Sequence, residues 1–173
     1  MKRYLLALAA LSLTLLVSCK HSNEDVEEHN KDHDNYAAEH NLNSANEAPV
    51  FHSSHLESRQ NTPFSDAVQV GNTFYLAGQI GRDHNAGALV EGGIQAETRQ
   101  TLENIKAVLE HHDMTMANVV KALVILDDIE DFAAFNEIYT TYLPQRPART
   151  TFAAESLAAG AKIEIEVIAV KHD

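Results

Sequence analysis

Several residues in this chain have chemistry beyond folding. Arg149 lies in Pro147-Ala148-Arg149-Thr150-Thr151 and leads into Phe152. A guanidinium there serves either as a structural ion-pair partner or as an anion receptor, since its planar fork matches a carboxylate through two parallel hydrogen bonds. Glu164 and Glu166 sit within an otherwise aliphatic stretch, Ile163 to Val170. His21, His29, His33 and His40 lie among acidic residues. Imidazole with carboxylate suits zinc or copper. The stretch reads more simply as a solvated spacer, because no spacing in it defines a closed coordination geometry.

The elements that must position these groups occupy only part of the chain. With 173 residues, 45% of them hydrophobic, one compact domain plus extensions is the natural scale. The formal charge of -12 argues against nucleic acid, whose backbone demands basic stripes, and against electrostatic docking on anionic lipid. A single cysteine excludes an intrachain disulfide framework.

Residues 1–19 read as a targeting segment: Lys2 and Arg3, an apolar run from Tyr4 to Val17, then Leu16-Val17-Ser18-Cys19. The run is short for a bilayer span. Its ending resembles a bacterial lipobox, which makes Cys19 a lipidation site and places the protein at the cell envelope, held to a membrane only through lipid. Residues 20–50 are acidic and poor in aliphatics, and so are expected to form a disordered tether. The folded domain is expected over 51–173.

Within that domain, Ala67–Val70 and Thr73–Ala77 read as strands joined by a tight Gly71-Asn72 turn. The glycines from Gly78 to Gly93 mark a long loop. Apolar spacing predicts a helix over Ile94–His112. Val119–Leu126 reads as a strand covered on both faces. Asp127 and Asp128 offer an N-cap for a second helix, whose stripe is Ile129, Phe132, Phe135, Ile138, Tyr139 and Tyr142. Pro144 and Pro147 end it. Strands are expected at Arg149–Ala154 and Lys162–Val170, with a further one near His55. Two helices over one face of a mixed sheet make an α+β domain.

The last strand is unusual. Ile163, Ile165, Val167 and Ala169 point one way, toward the helices, while Glu164, Glu166, Ile168 and Val170 point the other. Either another copy of the chain covers this second face, or two glutamates simply stand at the strand's exposed start.

The segments Pro63-Phe64-Ser65-Asp66-Ala67-Val68, Gly71-Asn72, Leu76-Ala77-Gly78-Gln79-Ile80, Gln95-Ala96-Glu97-Thr98-Arg99-Gln100, Leu102-Glu103-Asn104-Ile105, Pro147-Ala148-Arg149-Thr150 and Lys162-Ile163-Glu164-Ile165-Glu166-Val167-Ile168-Ala169-Val170 resemble, in order, the Rid (YjgF-like) family of reactive-intermediate deaminases. The resemblance implies a chorismate-mutase-like fold. It also implies a homotrimer whose sheets form a central barrel, with clefts between neighbours. It makes Arg149 the holder of a substrate carboxylate and Glu164 the residue that handles the attacking water. Gly78 would line the cleft, and Asn136 matches an asparagine of the family. Phe64 stands where an aromatic residue, usually Tyr, is found, and so lacks the hydroxyl. Thr151 stands where some members have Cys, which fits a route without a covalent intermediate. The implied reaction converts a 2-imino acid, or an enamine such as 2-aminoacrylate, to a 2-keto acid and ammonia, with no metal or organic cofactor. The rival readings are a non-catalytic trimer that binds a small carboxylate, a chaperone-like trimer at the envelope, and metal buffering by the tether.

Overall fold

The computed structural model describes residues 48–172; Cys19, the targeting segment and nearly all of the expected tether lie outside the described residues. The strands are β1 (Val50–His52), β2 (Ala67–Val70), β3 (Thr73–Leu76), β4 (Gln79–Ile80), β5 (Arg82–Asp83), β6 (Ala88–Leu89), β7 (Val119–Leu126), β8 (Ala148–Ala153) and β9 (Ile163–Val170). The helices are α1 (Gly93–His111) and α2 (Phe132–Tyr142). The main sheet runs β1-β2-β3-β9-β7-β8, and β4 continues along β9 beyond the end of β3. Only the β7–β8 pair is parallel.

The α+β architecture with two helices matches the expectation, and β7 has the expected bounds. Gly71 supplies the positive φ, 55°, that the β2–β3 turn requires. The expected glycine loop instead holds β4 and the β5–β6 hairpin, strands of two residues each, too short to leave a hydrophobic period. Asp128 caps as expected, accepting the Glu130 N–H at 3.0 Å, but it caps a 3-10 turn, Ile129–Asp131, ahead of α2. The turn rotates the start of the expected stripe outward. Ile129 and Phe132 stay 50% and 40% exposed, while Phe135 and Tyr139 are buried.

Period-2 alternation divides the sheet cleanly. Ala122, Val124 and Leu126 of β7, with Ile163, Ile165, Val167 and Ala169 of β9, are buried beneath Leu102, Ile105 and Leu109 of α1 and Phe135 of α2. Burial of each large apolar side chain is worth about 1.5–3 kcal/mol relative to exposure. The opposite face is open in the single chain, with Val70, Tyr75, Val120 and Phe152 each at least 40% exposed. β7 is therefore covered on one face by its own chain, not on both as its continuous apolar run implied.

Two buried polar side chains of α1 fix the edge where β4 ends and β9 starts. Glu97 accepts the backbone N–H of Lys162 at 2.8 Å and packs so tightly on Gly81 that a Cβ there would meet its Cα at 2.6 Å. Asn104 donates to the carbonyls of Ile80 and Arg82, at 3.1 and 2.9 Å. Each satisfies backbone groups that the short strands leave unpaired.

Imidazoles gather where β1 meets the end of α1. The ring of His112 lies 4.5 Å from His52, 5.3 Å from His111 and 5.1 Å from Phe74, and His55 stacks on His111 at 4.8 Å. Burial, followed by the charges of His52, His111, Lys171 and His55, pushes the pKa of His112 down to about 4. Asp113 is engaged by Lys171 at 3.4 Å. A group held neutral in the fold but free to protonate when unfolded stabilises above its unfolded pKa of 6.5, and that stability is lost as pH falls toward 4. The denaturation midpoint is expected to fall across this window, and His112→Gln should flatten the decline; an equally steep decline in the variant would contradict the assignment.

Candidate active site

The residues expected to do chemistry fall into two groups on opposite faces of the sheet. The first surrounds Glu164. Its side chain leaves the outer face of β9, and β4 runs alongside with Ile80 paired to Glu164 and Gln79 to Ile165. The carboxylate lies directly over the Cα of Gly78, where an added Cβ would collide with Oε1 and meet Cγ at 3.2 Å. Absence of a side chain at Gly78 is thus what lets the carboxylate lie flat on the strand end. Burial raises the Glu164 pKa above the ordinary carboxylate range, and the charge of Glu166 adds to the shift. Phe64 is carried by the preceding loop and is 52% exposed.

The second group surrounds Arg149. Its partner on β7 is Ala122, which faces the helices, so the guanidinium runs under α2. Nη1 donates to Asn136 Oδ1 at 2.8 Å. Asn136 is itself oriented by donating from Nδ2 to the Phe132 carbonyl at 2.8 Å, which turns its oxygen toward the arginine. The guanidinium carbon lies 5.6, 5.0 and 4.7 Å from the ring centres of Phe132, Phe135 and Tyr139. None of the ion pairs among the described residues involves Arg149. A cleft of about 480 Å³ opens beside it, lined also by Thr140, Leu143 and Arg146. The Tyr139 hydroxyl is buried without a hydrogen-bond partner, and burial raises its pKa against the opposing charge of Arg149.

Asn136 and Arg149 are thus together, as are Gly78 and Glu164. Thr151 shares the helix-facing side of β8 with Arg149, but its hydroxyl is buried without a partner and it does not line the cleft. Arg149 and Glu164 do not meet within one chain. Their β7 partners, Ala122 and Ile125, are three residues apart and so point to opposite faces. Two strand spacings across and three residues along put their backbones roughly 14 Å apart. The aromatic cradle of Phe132, Phe135 and Tyr139 escaped sequence reasoning, which saw only a core stripe. The signal was present in Phe132, Phe135, Asn136 and Tyr139, spaced to share one helical face. Among the described residues, no group of three or more His, Cys, Asp or Glu is arranged to hold a metal ion.

A family model described as Endoribonuclease L-PSP matches residues 56–171. The 2-iminobutanoate/2-iminopropanoate deaminase of Mus musculus is 44% identical over 110 residues, 63% of this chain and 82% of that protein. A RutC family protein of Pyrococcus horikoshii is 44% identical over 64% of this chain and 88% of its own length. The crystal structure of RidA from an Antarctic Psychrobacter superposes with a TM-score of 0.61 at 39% identity, covering 64% of this chain and 90% of that one.

Gly78 has no positive φ, so its backbone accepts a side chain. Gly78→Ala is expected to cost about 1 kcal/mol or less, because the flexible carboxylate end can move aside. The Glu164 titration, followed by carboxyl NMR, should then shift down toward the ordinary carboxylate range as the group enters solvent. An unchanged titration would contradict the contact.

Proposed function

Because this chain belongs to the Endoribonuclease L-PSP family, and resembles relatives named as 2-iminobutanoate/2-iminopropanoate deaminases, we propose that it hydrolyses 2-imino acids, or their enamine tautomers, to 2-keto acids and ammonia. The observation that carries this reading is a half-buried guanidinium with no acidic partner among the described residues, held by Asn136 and three aromatic rings beside an open cleft. One Nη donates to Asn136, and the remaining fork is free to take a carboxylate with two hydrogen bonds. The flanking rings lower the local dielectric and strengthen that pairing.

Glu164 is the proton acceptor in this reading. Its raised pKa suits a base that takes a proton from the attacking water and returns one to the departing ammonia. Water's oxygen bonds to the C=N carbon while Glu164 takes one of its protons and passes it to the nitrogen; the hydroxyl proton of the adduct then follows the same route, the C–O bond becomes the keto C=O, and the C–N bond breaks to release ammonia. Substrate positioning and acid–base help together supply roughly 3–5 kcal/mol of barrier lowering. Enamine carbons are anchored in the same way, since the carboxylate and not the nitrogen is gripped.

A single chain separates the two groups, so the reading requires a second copy. We place Arg149 of one chain opposite Glu164 and Gly78 of its neighbour, in a trimer whose open sheet faces, bearing Tyr75, Val120 and Phe152, pack together. Lipidation at Cys19 would hold this trimer at the cell envelope. RNA cleavage, which the family description names, is disfavoured by the charge of -12.

The test generates imino acids with an amino-acid oxidase and follows their decay. The parent protein should speed the decay, and Arg149→Ala should reduce it to the buffer rate while the oligomer persists. Decay no faster with the parent than in buffer, alongside tight 2-keto acid binding, would instead make the protein a carboxylate-binding module. Glu164→Gln should lower kcat by about 10²–10⁴ with little change in KM. A change confined to KM would assign Glu164 to binding.

A further inference from the structure

The loop between β1 and β2 carries Phe64, yet it has no apolar anchor of its own. From Ser53 to Asp66 the only buried residues are Ser54 and Asp66, both polar. The 3-10 turn Glu57–Arg59 within it buries nothing. A segment without core contacts takes its position from polar contacts or not at all.

Apart from the stack of His55 on His111, those contacts converge on one side chain. Arg59 Nη2 donates to Asp66 Oδ1 at 2.8 Å, and Nη1 donates to Gln79 Oε1 at 3.2 Å. Its guanidinium carbon lies 5.9 Å from the Phe64 ring centre. Thr62 Oγ1 contacts both the Arg59 and the Phe64 carbonyls, at 2.9 and 3.0 Å. Asp66 is a fixed post: its N–H donates to the His52 carbonyl, and its carbonyl accepts from Ala77, both at 2.9 Å. Gln79 is buried in β4 and directly follows Gly78, the residue on which the Glu164 carboxylate rests. Crowding does not hold the guanidinium in place, for a cavity of about 240 Å³ borders it and also reaches His55 and His84. Asp66 Oδ2 is buried without a partner, so Arg59 is the one side chain that compensates this carboxylate among the described residues.

We propose that Arg59 is a positioning residue of the substrate site, tying the Phe64 loop to the strand end that carries Gly78 and thereby setting where the Phe64 ring stands relative to Glu164. The proposal rests on the function above in so far as Phe64 and Glu164 serve one substrate. Arg59 touches no substrate; it acts through the ring.

The chain contains no tryptophan, so Phe64→Trp gives a single fluorescent reporter at the ring position. Into it go Arg59→Gln and Asp66→Asn together, because removing both charges spares the fold the buried, unpaired carboxylate that Arg59→Gln alone would leave. With the fold and oligomer intact by circular dichroism and sedimentation, emission should shift to the red and acrylamide quenching should rise about twofold or more as the ring is released. In the Phe64 background the same pair should raise KM about tenfold and change kcat much less, the signature of lost substrate positioning. Unchanged emission and quenching in a folded variant overturn the proposal. If the pair does not fold, Arg59→Lys carries the test, since it keeps the charge opposite Asp66 but loses the fork that reaches Gln79; an unshifted emission again overturns it. Fluorescence needs no turnover, so it decides the role of Arg59 even if the parent protein hydrolyses no imine.

Discussion

The site depends on a cation that the fold declines to neutralise. Buried or half-buried arginines are ordinarily matched by a carboxylate, because an unpaired charge is costly away from water. Arg149 has instead the oxygen of Asn136 and the faces of three aromatic rings. Neutral dipoles and ring quadrupoles stabilise the charge without cancelling it. What remains is an anion-receptive fork beside a cleft. Replacing Asn136 by an acid would pair the guanidinium within the chain and cancel that receptivity to anions. The orienting bond from Asn136 to the Phe132 carbonyl matters for the same reason, since it aims the amide oxygen, not its donors, at the guanidinium.

The second half of the site obeys a different constraint. Glu164 lies where a glycine leaves room, at a strand end that α1 holds through Glu97 and Asn104. Its carboxylate is raised in pKa by burial and by Glu166, next but one along the strand. The alternation of β9 sends Ile163, Ile165, Val167 and Ala169 into the core and both glutamates, with Ile168 and Val170, to the open face. Core packing and the open face are therefore decided by a single strand register, and a slip of one residue would exchange them.

Much of this was legible in the sequence because it is periodic or chemically distinctive. The strict alternation from Ile163 to Val170 predicted the two-faced strand, and the apolar run from Val119 to Leu126 predicted β7 to the residue. Pro147-Ala148-Arg149 marked the cation, although composition alone left its role open between ion pair and anion receptor. What stayed hidden depends on long-range geometry. Strands as short as β4 to β6 have no period to read. The Arg59, Asp66 and Gln79 network joins a loop without hydrophobic pattern to a strand 20 positions away. The turn that exposes Phe132 to the arginine arises from a cap displaced by one 3-10 turn, which side-chain spacing does not encode.

The central claim is that Arg149 of one chain and Glu164 of another complete one catalytic cleft. Co-expression of Arg149→Ala and Glu164→Gln chains tests it most directly. In a head-to-tail ring of three, each cleft draws its arginine and its glutamate from different chains, so random mixing restores about a quarter of parental activity from two inactive variants. Activity in the mixed oligomers no greater than that of the separate variants would contradict the account.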